Sequence, residues 1–165
     1  MAEPVRIVIL GGLGEIGRNC LAIEQGTDVD RSILVIDCGI MFPSADLHGI
    51  DLVLPDFTYL RENASSIVGL VATHGHEDHV GGIQFLLRDE HGIGDRRDTS
   101  LPVFGSKLTL GLARNRIEEA GLLGRVDFVP TNDGDRVSIG PFEVEFVPVT
   151  HSVPHAHAIV VRTEQ

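Results

Sequence analysis

Four residues of types that ligate transition metals fall within six positions: His74, His76, Asp78 and His79, in the run His74-Gly75-His76-Glu77-Asp78-His79. Imidazole nitrogens and carboxylate oxygens both suit Zn²⁺. The run follows an apolar stretch at 67–73 that reads as a strand. Side chains two apart on a strand point to the same side, so His74 and His76 can address one ion. A turn through Glu77 then redirects Asp78 and His79 toward a second. Two ions about 3.5–4 Å apart can share a hydroxide and stabilise both the attacking and the leaving oxygen, so the chemistry implied is hydrolysis. The plainer alternative is a polar loop whose histidines cap a helix at Val80, but a cap uses one such residue rather than four.

These four residues do not complete two zinc sites, because each ion usually takes four or more ligands including an open water position. His151 is the strongest further candidate, since it directly follows the alternating strand 142–149. His155 and His157 compete with it, although three histidines in seven residues also fit a polar turn. Asp37 ends a strand and is placed to hold a ligand imidazole in the correct tautomer, or else to cap the turn at Gly39. His48 and His91 read as surface histidines.

A second motif points elsewhere. Gly12-Leu13-Gly14-Glu15-Ile16-Gly17 follows a strand and fits GxGxxG, with Asp37 twenty residues beyond Gly17. A dinucleotide site, however, needs a helix that begins at this loop and holds the pyrophosphate. The residues from Arg18 to Thr27 alternate like a strand and leave no room for it. A glycine-rich turn bordering the metal-binding run is the better reading, with Gly12, Gly14 and Glu15 near the site.

The elements that must position these residues are mostly strands in the first half, at 5–10, 20–24, 32–37 and 67–73. An ordered loop is expected over 41–56. Helices are expected at 80–91, stopping at Gly92, and at 108–120, from a Ser106 cap to Gly121. The loop 92–100, with its pair Arg96 and Arg97, reads as solvated, and a short strand follows at 102–104. Strands return from Val126, with Asn132-Asp133-Gly134 as a turn and Phe142, Val144 and Phe146 alternating; the last strand is expected at 158–162. Sheets without a regular βαβ rhythm predict a sandwich with helices outside.

At 165 residues and 42% hydrophobic the chain suits one domain. No apolar run reaches the length of a membrane span, and the start, Met1-Ala-Glu-Pro, lacks the pattern of an export signal. Cys20 and Cys38 are too few for a disulfide framework, so a reduced cytoplasmic setting is expected. The net charge of −11 has the wrong sign for a domain that grips nucleic acid by phosphate contacts alone. Any such grip would come from bound metal or from other parts of a larger protein.

The HxHxDH run after a strand resembles the metallo-β-lactamase superfamily, and the flanking segments narrow the resemblance to the ribonuclease J family. They are Gly11-Gly12-Leu13-Gly14-Glu15-Ile16-Gly17, Ile36-Asp37-Cys38-Gly39-Ile40-Met41-Phe42-Pro43, Gly49-Ile50-Asp51 and Pro55-Asp56-Phe57. Thr73 to His79, Gly105-Ser106-Lys107-Leu108-Thr109-Leu110-Gly111 and His151-Ser152-Val153-Pro154 continue it in order. The resemblance implies an α/β fold, the metallo-β-lactamase αββα sandwich, here only its N-terminal part over 1–165. It implies a two-zinc ribonuclease of RNA processing and decay, including ribosomal RNA, acting 5′-3′ and internally by hydroxide attack on phosphodiesters. His74, His76 and His151 would hold one zinc, Asp78 and His79 the other; Asp78 would help orient the water, and Asp37 would be the supporting acid.

The chain departs from the family in carrying His155 where an acidic residue is usual. The family's bridging aspartate, its later zinc-ligating histidine, the inserted β-CASP domain that clamps RNA and the C-terminal dimerisation region are not among these residues. The expectation is therefore an N-terminal piece that binds one zinc or none and is a poor nuclease alone. RNA would be met, and a homo-oligomer formed, through the complete protein. Two further readings stay open: a small-substrate hydrolase acting on a thioester or lactone, which the acidic balance favours, and a non-catalytic zinc-binding remnant.

Overall fold

The computed structural model describes residues 5–27 and 29–163, so the Met1-Ala-Glu-Pro start lies outside the described residues. Two sheets face each other. The larger places β1 (Val5–Gly11), β2 (Cys20–Gln25), β3 (Ser32–Ile36), β4 (Ile67–Val71), β5 (Leu101–Ser106) and β6 (Val126–Thr131) side by side in chain order. β1, β2 and β3 pair antiparallel, and β3 through β6 pair parallel. The smaller sheet is an antiparallel meander of β7 (Arg136–Ile139), β8 (Phe142–Val149) and β9 (Ala156–Thr163).

The sequence of β3, Ser-Ile-Leu-Val-Ile, explains the layering. Such a run of β-branched and aliphatic residues suits a strand buried on both faces. Ile33 and Val35 pack into one cluster with Leu60, Ile83, Leu86 and Ile117 from the helical side. Leu34 and Ile36 pack into a second with Phe142, Val144 and Phe146, the inward residues of β8. The expected sandwich with helices outside is thus the one observed. At its margins, β1 and β9 are edge strands, and Ile7 and Ile9 of β1 are exposed.

Of the two expected helices, that at 108–120 forms as α4 (Lys107–Glu119), after α1 (Thr58–Glu62), α2 (Glu77–Val80) and α3 (Ile83–Leu86). Its Ser106 cap is present, with the Ser106 Oγ accepting from the Thr109 N–H at 3.1 Å. The helix expected over 80–91 does not form as one element. α2 starts earlier, and the chain breaks at Gly81 and Gly82 before α3. Gly82 donates its N–H to the Cys38 carbonyl at 2.8 Å, and a Cβ there would lie 2.7 Å from the Gly39 oxygen. Tertiary contact with the 37–40 segment overrides the helical period.

Three further segments bear on the site. The segment 41–56 is ordered, as expected, with Met41 and Val53 exchanging backbone hydrogen bonds. The loop at 12–17 contains no helix; Glu15 accepts the Gly12 N–H and pairs with Arg18 at 2.6 Å. Arg97, expected to be solvated, instead donates to the carbonyls of Ala64 and Ile67, both at 2.8 Å. Those carbonyls stand at the entry to β4, so the arginine fastens the 92–100 loop beside it.

Candidate metal centre

The parallel strands β3 and β4 run in the same direction, so their carboxyl ends deliver Asp37 and Thr73 to one edge of the sheet. Grooves outside the carboxyl ends of parallel strands are the usual place for sites in such sheets. Asp37 adopts a left-handed backbone, φ 57°, and its N–H donates to the Val71 carbonyl. Its side chain is buried and turns back on the next strand. Oδ1 accepts the Thr73 N–H and Oδ2 accepts the Thr73 hydroxyl, both at 2.8 Å, and the His79 Nδ1–H donates to Oδ2 at 2.7 Å. Asp37 therefore orients an imidazole rather than merely capping the turn at Gly39.

β4 ends at Val71, three residues before His74. The convergence of His74 and His76 accordingly comes from a bend at 74–75, not from strand alternation. The bend is fixed by the Thr73 bonds to Asp37 and by the Thr73 hydroxyl 2.9 Å from His74 Nδ1. His76 then occupies the cap position of α2, and the N–H groups of His79 and Val80 donate to its carbonyl.

His151 arrives from the other sheet, on the 150–155 connection between β8 and β9. Its Nε2 lies 3.1 Å from His74 Nε2 and 3.2 Å from His76 Nδ1, and the latter two are 3.1 Å apart. Three ring nitrogens cannot all satisfy one another by hydrogen bonds in such a triangle, because an imidazole nitrogen is either an N–H donor or a lone-pair acceptor and cannot be both. The arrangement matches one face of a tetrahedron, whose edge is roughly 3.3 Å for metal–nitrogen bonds of about 2.0–2.1 Å. Burial, with the neighbouring His79, His151 and His76, pushes His74 down to about 4. Its lone pair is then available near neutral pH, as ligation requires. The donor set fits a divalent cation.

A second cluster adjoins the first. His79 Nε2 and Asp78 Oδ2 are 3.5 Å apart, and the His79 ring centroid is 4.0 Å from that of His74. Burial pushes His79 down, but the hydrogen bond and charge of Asp37, helped by Asp78, carry it above the ordinary imidazole value. Asn19 was not anticipated. Its Nδ2 donates to the Asp78 carbonyl at 3.0 Å and to Asp78 Oδ2 at 3.2 Å, and lies 3.1 Å from His79 Nε2. Nothing in residue type singled it out; only its place just after the glycine loop could have. Thr73, between Asp37 and His74, was missed for the same reason, as was Ser152, whose hydroxyl is 3.3 Å from His76 Nε2.

The remaining candidates separate. Gly12 borders the cluster, in a cavity of about 270 Å³ lined also by Leu13, Asn19, Asp37 and His79. His155 and His157 stand apart from the three-histidine group. His155 is exposed, while His157 is buried against Asp133 rather than belonging to a solvated turn. His48 and His91 are exposed, and Cys20 and Cys38 are buried free thiols.

Comparison with known proteins accords with this geometry. The beta-lactamase superfamily domain matches residues 33–164. Ribonuclease J of Synechocystis is 40% identical over 163 residues, 98% of this chain and 23% of that protein. Ribonuclease J of Mycobacterium tuberculosis is 42% identical over 159 residues, 96% of this chain and 26% of that protein. The chain thus spans about a quarter of the length of these relatives. Among solved structures, the metallo-beta-lactamase fold protein YhfI from Bacillus subtilis aligns with a TM-score of 0.61 at 18% identity, covering 96% of this chain and 58% of that one. Human tRNase Z, short form, aligns with a TM-score of 0.57 at 16% identity, covering 96% and 64%. These likenesses establish the metallo-β-lactamase fold. The chain belongs to the beta-lactamase superfamily, and over nearly its whole length it is a homologue of ribonuclease J.

Proposed function

We propose that these residues form the metal-binding part of a zinc-dependent ribonuclease, a hydrolase acting on RNA phosphodiesters from a 5′ end and internally. The observation that carries the reading is the convergence of His74, His76 and His151 from two sheets onto one point. The ribonuclease J relatives at 38% identity and above supply the substrate class.

In this reading His74, His76 and His151 hold one ion, and Asp78 with His79 contributes to a second. Two bound divalent cations supply a nucleophile from water near neutral pH and neutralise charge on the phosphoryl oxygens. The chain's own residues prepare that chemistry. Asp37 fixes the His79 ring through Nδ1, leaving Nε2 directed at Asp78. Thr73 relays the same carboxylate to His74. Asn19 holds Asp78 by its carbonyl and its carboxylate, so that Asp78 can orient water at the site. The β-CASP and dimerisation regions of the longer relatives would supply the RNA channel and the homo-oligomer, in a cytoplasmic enzyme. Among the described residues, no helix is long and apolar enough to cross a membrane.

The net charge of −11 favours a small substrate over RNA as the alternative. Zinc-loaded chain should be assayed on a short RNA, on bis(4-nitrophenyl) phosphate and on a thioester. Slow phosphodiester cleavage that His74→Ala removes is the expected result. Thioester hydrolysis alone would favour the small-substrate reading, and zinc binding with no hydrolysis of any of the three would favour a non-catalytic zinc module.

A further inference from the structure

The connection that brings His151 to the site is exposed at His151 and its neighbours, so its position must be set from its base. At that base the β8–β9 register pairs Val149 with Ala156 and Pro148 with His157. Pro148 has no N–H to give to the ladder. The N–H of His157 turns away from it and donates to the Thr73 carbonyl at 3.0 Å, across to the other sheet.

The side chain of His157 is fully buried, edge-on to Phe146 with ring centroids 5.6 Å apart. Its Nε2–H donates to Asp133 Oδ1 at 2.9 Å. Nδ1 has no partner among the described residues, so this bond is the polar contact that fixes the ring. Asp133 is itself held in a stiff turn. The Asn132 N–H donates to Asp135 Oδ2 at 2.7 Å, the Gly134 N–H to the Phe146 carbonyl at 2.8 Å, and the Phe146 N–H to the Asp135 carbonyl at 2.9 Å.

We propose that Asp133 and His157 are positioning residues for the metal centre: they clamp the mouth of the β8–β9 hairpin to Thr73, so that His151 meets His74 and His76. The clamp is continuous. It runs from the 132–135 turn through the His157 ring and backbone to Thr73, whose hydroxyl contacts His74 and Asp37. His155 adds a left-handed backbone, φ 56°, at the end of the connection, with its Nδ1 3.9 Å from the same Asp133 oxygen. This inference rests on the reading of His74, His76 and His151 as a metal-holding group.

His157→Phe keeps a ring against Phe146 and deletes the bond to Asp133, which is half exposed and can be solvated. The expected result is faster exchange of the residue-157 amide, which donates to Thr73, in the metal-free chain, a zinc dissociation constant raised roughly tenfold or more, and an altered visible spectrum of the cobalt-loaded protein. Asp133→Ala should reproduce this, and carries the test if His157→Phe does not fold. Asp133→Asn retains an acceptor and should restore near wild-type values. Unchanged exchange at residue 157 would overturn the proposal, as would a general loss of stability with zinc affinity unmoved. If wild-type chain bound no zinc, the metal reading would fall, while exchange at residue 157 would still decide whether the clamp exists.

Discussion

The two segments that meet at the site are held in opposite ways. The 74–79 segment is locked by backbone on its inner side. The N–H groups of Asn19, Cys38 and Ile40 donate to the carbonyls of Asp78, His79 and Glu77, within 2.8–3.0 Å. Packing there is so close that a Cβ at Gly39 would overlap the Asp78 carbonyl. The 150–155 segment is exposed and is tied at its base by the contacts of His157. Geometry dictated by main chain tolerates little change, whereas geometry dictated by a few side chains can be tuned or lost without unfolding the domain. One half of the site is therefore a property of the fold, and the other is a removable attachment.

The largest expected effect is on the locked half. Gly39→Ala should cost about 3 kcal/mol or more, or prevent folding, because the new methyl meets backbone that cannot move alone. Urea unfolding measures it, and a change below about 0.5 kcal/mol would mean the segment is looser than described. Next in size is Asp37→Ala. It leaves the partly buried Thr73 N–H and the His79 ring without their acceptor, at a cost of about 1–3 kcal/mol in the same experiment. On the attached half, His151→Ala should alter the stability of the metal-free chain by no more than about 0.5 kcal/mol, since the side chain is exposed. A larger loss would mean that the connection belongs to the core.

A further expected effect is a pH dependence. His74 has its ordinary value of 6.5 when unfolded and about 4 when folded. Folding thus favours the neutral ring, and this contribution to stability is present above pH 6.5 and lost as pH falls toward 4. His79, raised by Asp37, contributes in the opposite sense: its stabilisation is present below 6.5 and lost as pH rises through its folded value. Replacing His74 by Gln should flatten the acid side of the stability profile of the metal-free chain. An unchanged slope between pH 6.5 and 4 would remove His74 from that account.

Much of this was legible in residue types. Alternation gave Phe142, Val144 and Phe146 as inward residues of β8, and Ser106 as a cap, because periodicity and capping act locally. The absent helix after Gly17 removed a nucleotide-site reading for a reason of length alone. Asp37 stood out because it is a carboxylate at a strand end, and its bond to His79 is the contact observed there. The helix over 80–91 was misjudged because Gly82 yields to contacts with Cys38 and Gly39, more than forty residues away in sequence. Asn19, Thr73 and Asp133 escaped notice because their roles arise only from the strand order and the register that juxtapose them with the histidines.

Zinc content and affinity of the purified chain, measured by elemental analysis and chelator competition beside His74→Ala and His151→Ala, test the central claim most directly. Wild type should retain zinc, and each substitution, made on a segment carried by a different sheet, should remove the same ion. Full retention of wild-type zinc and affinity by His151→Ala would contradict a centre assembled from both segments.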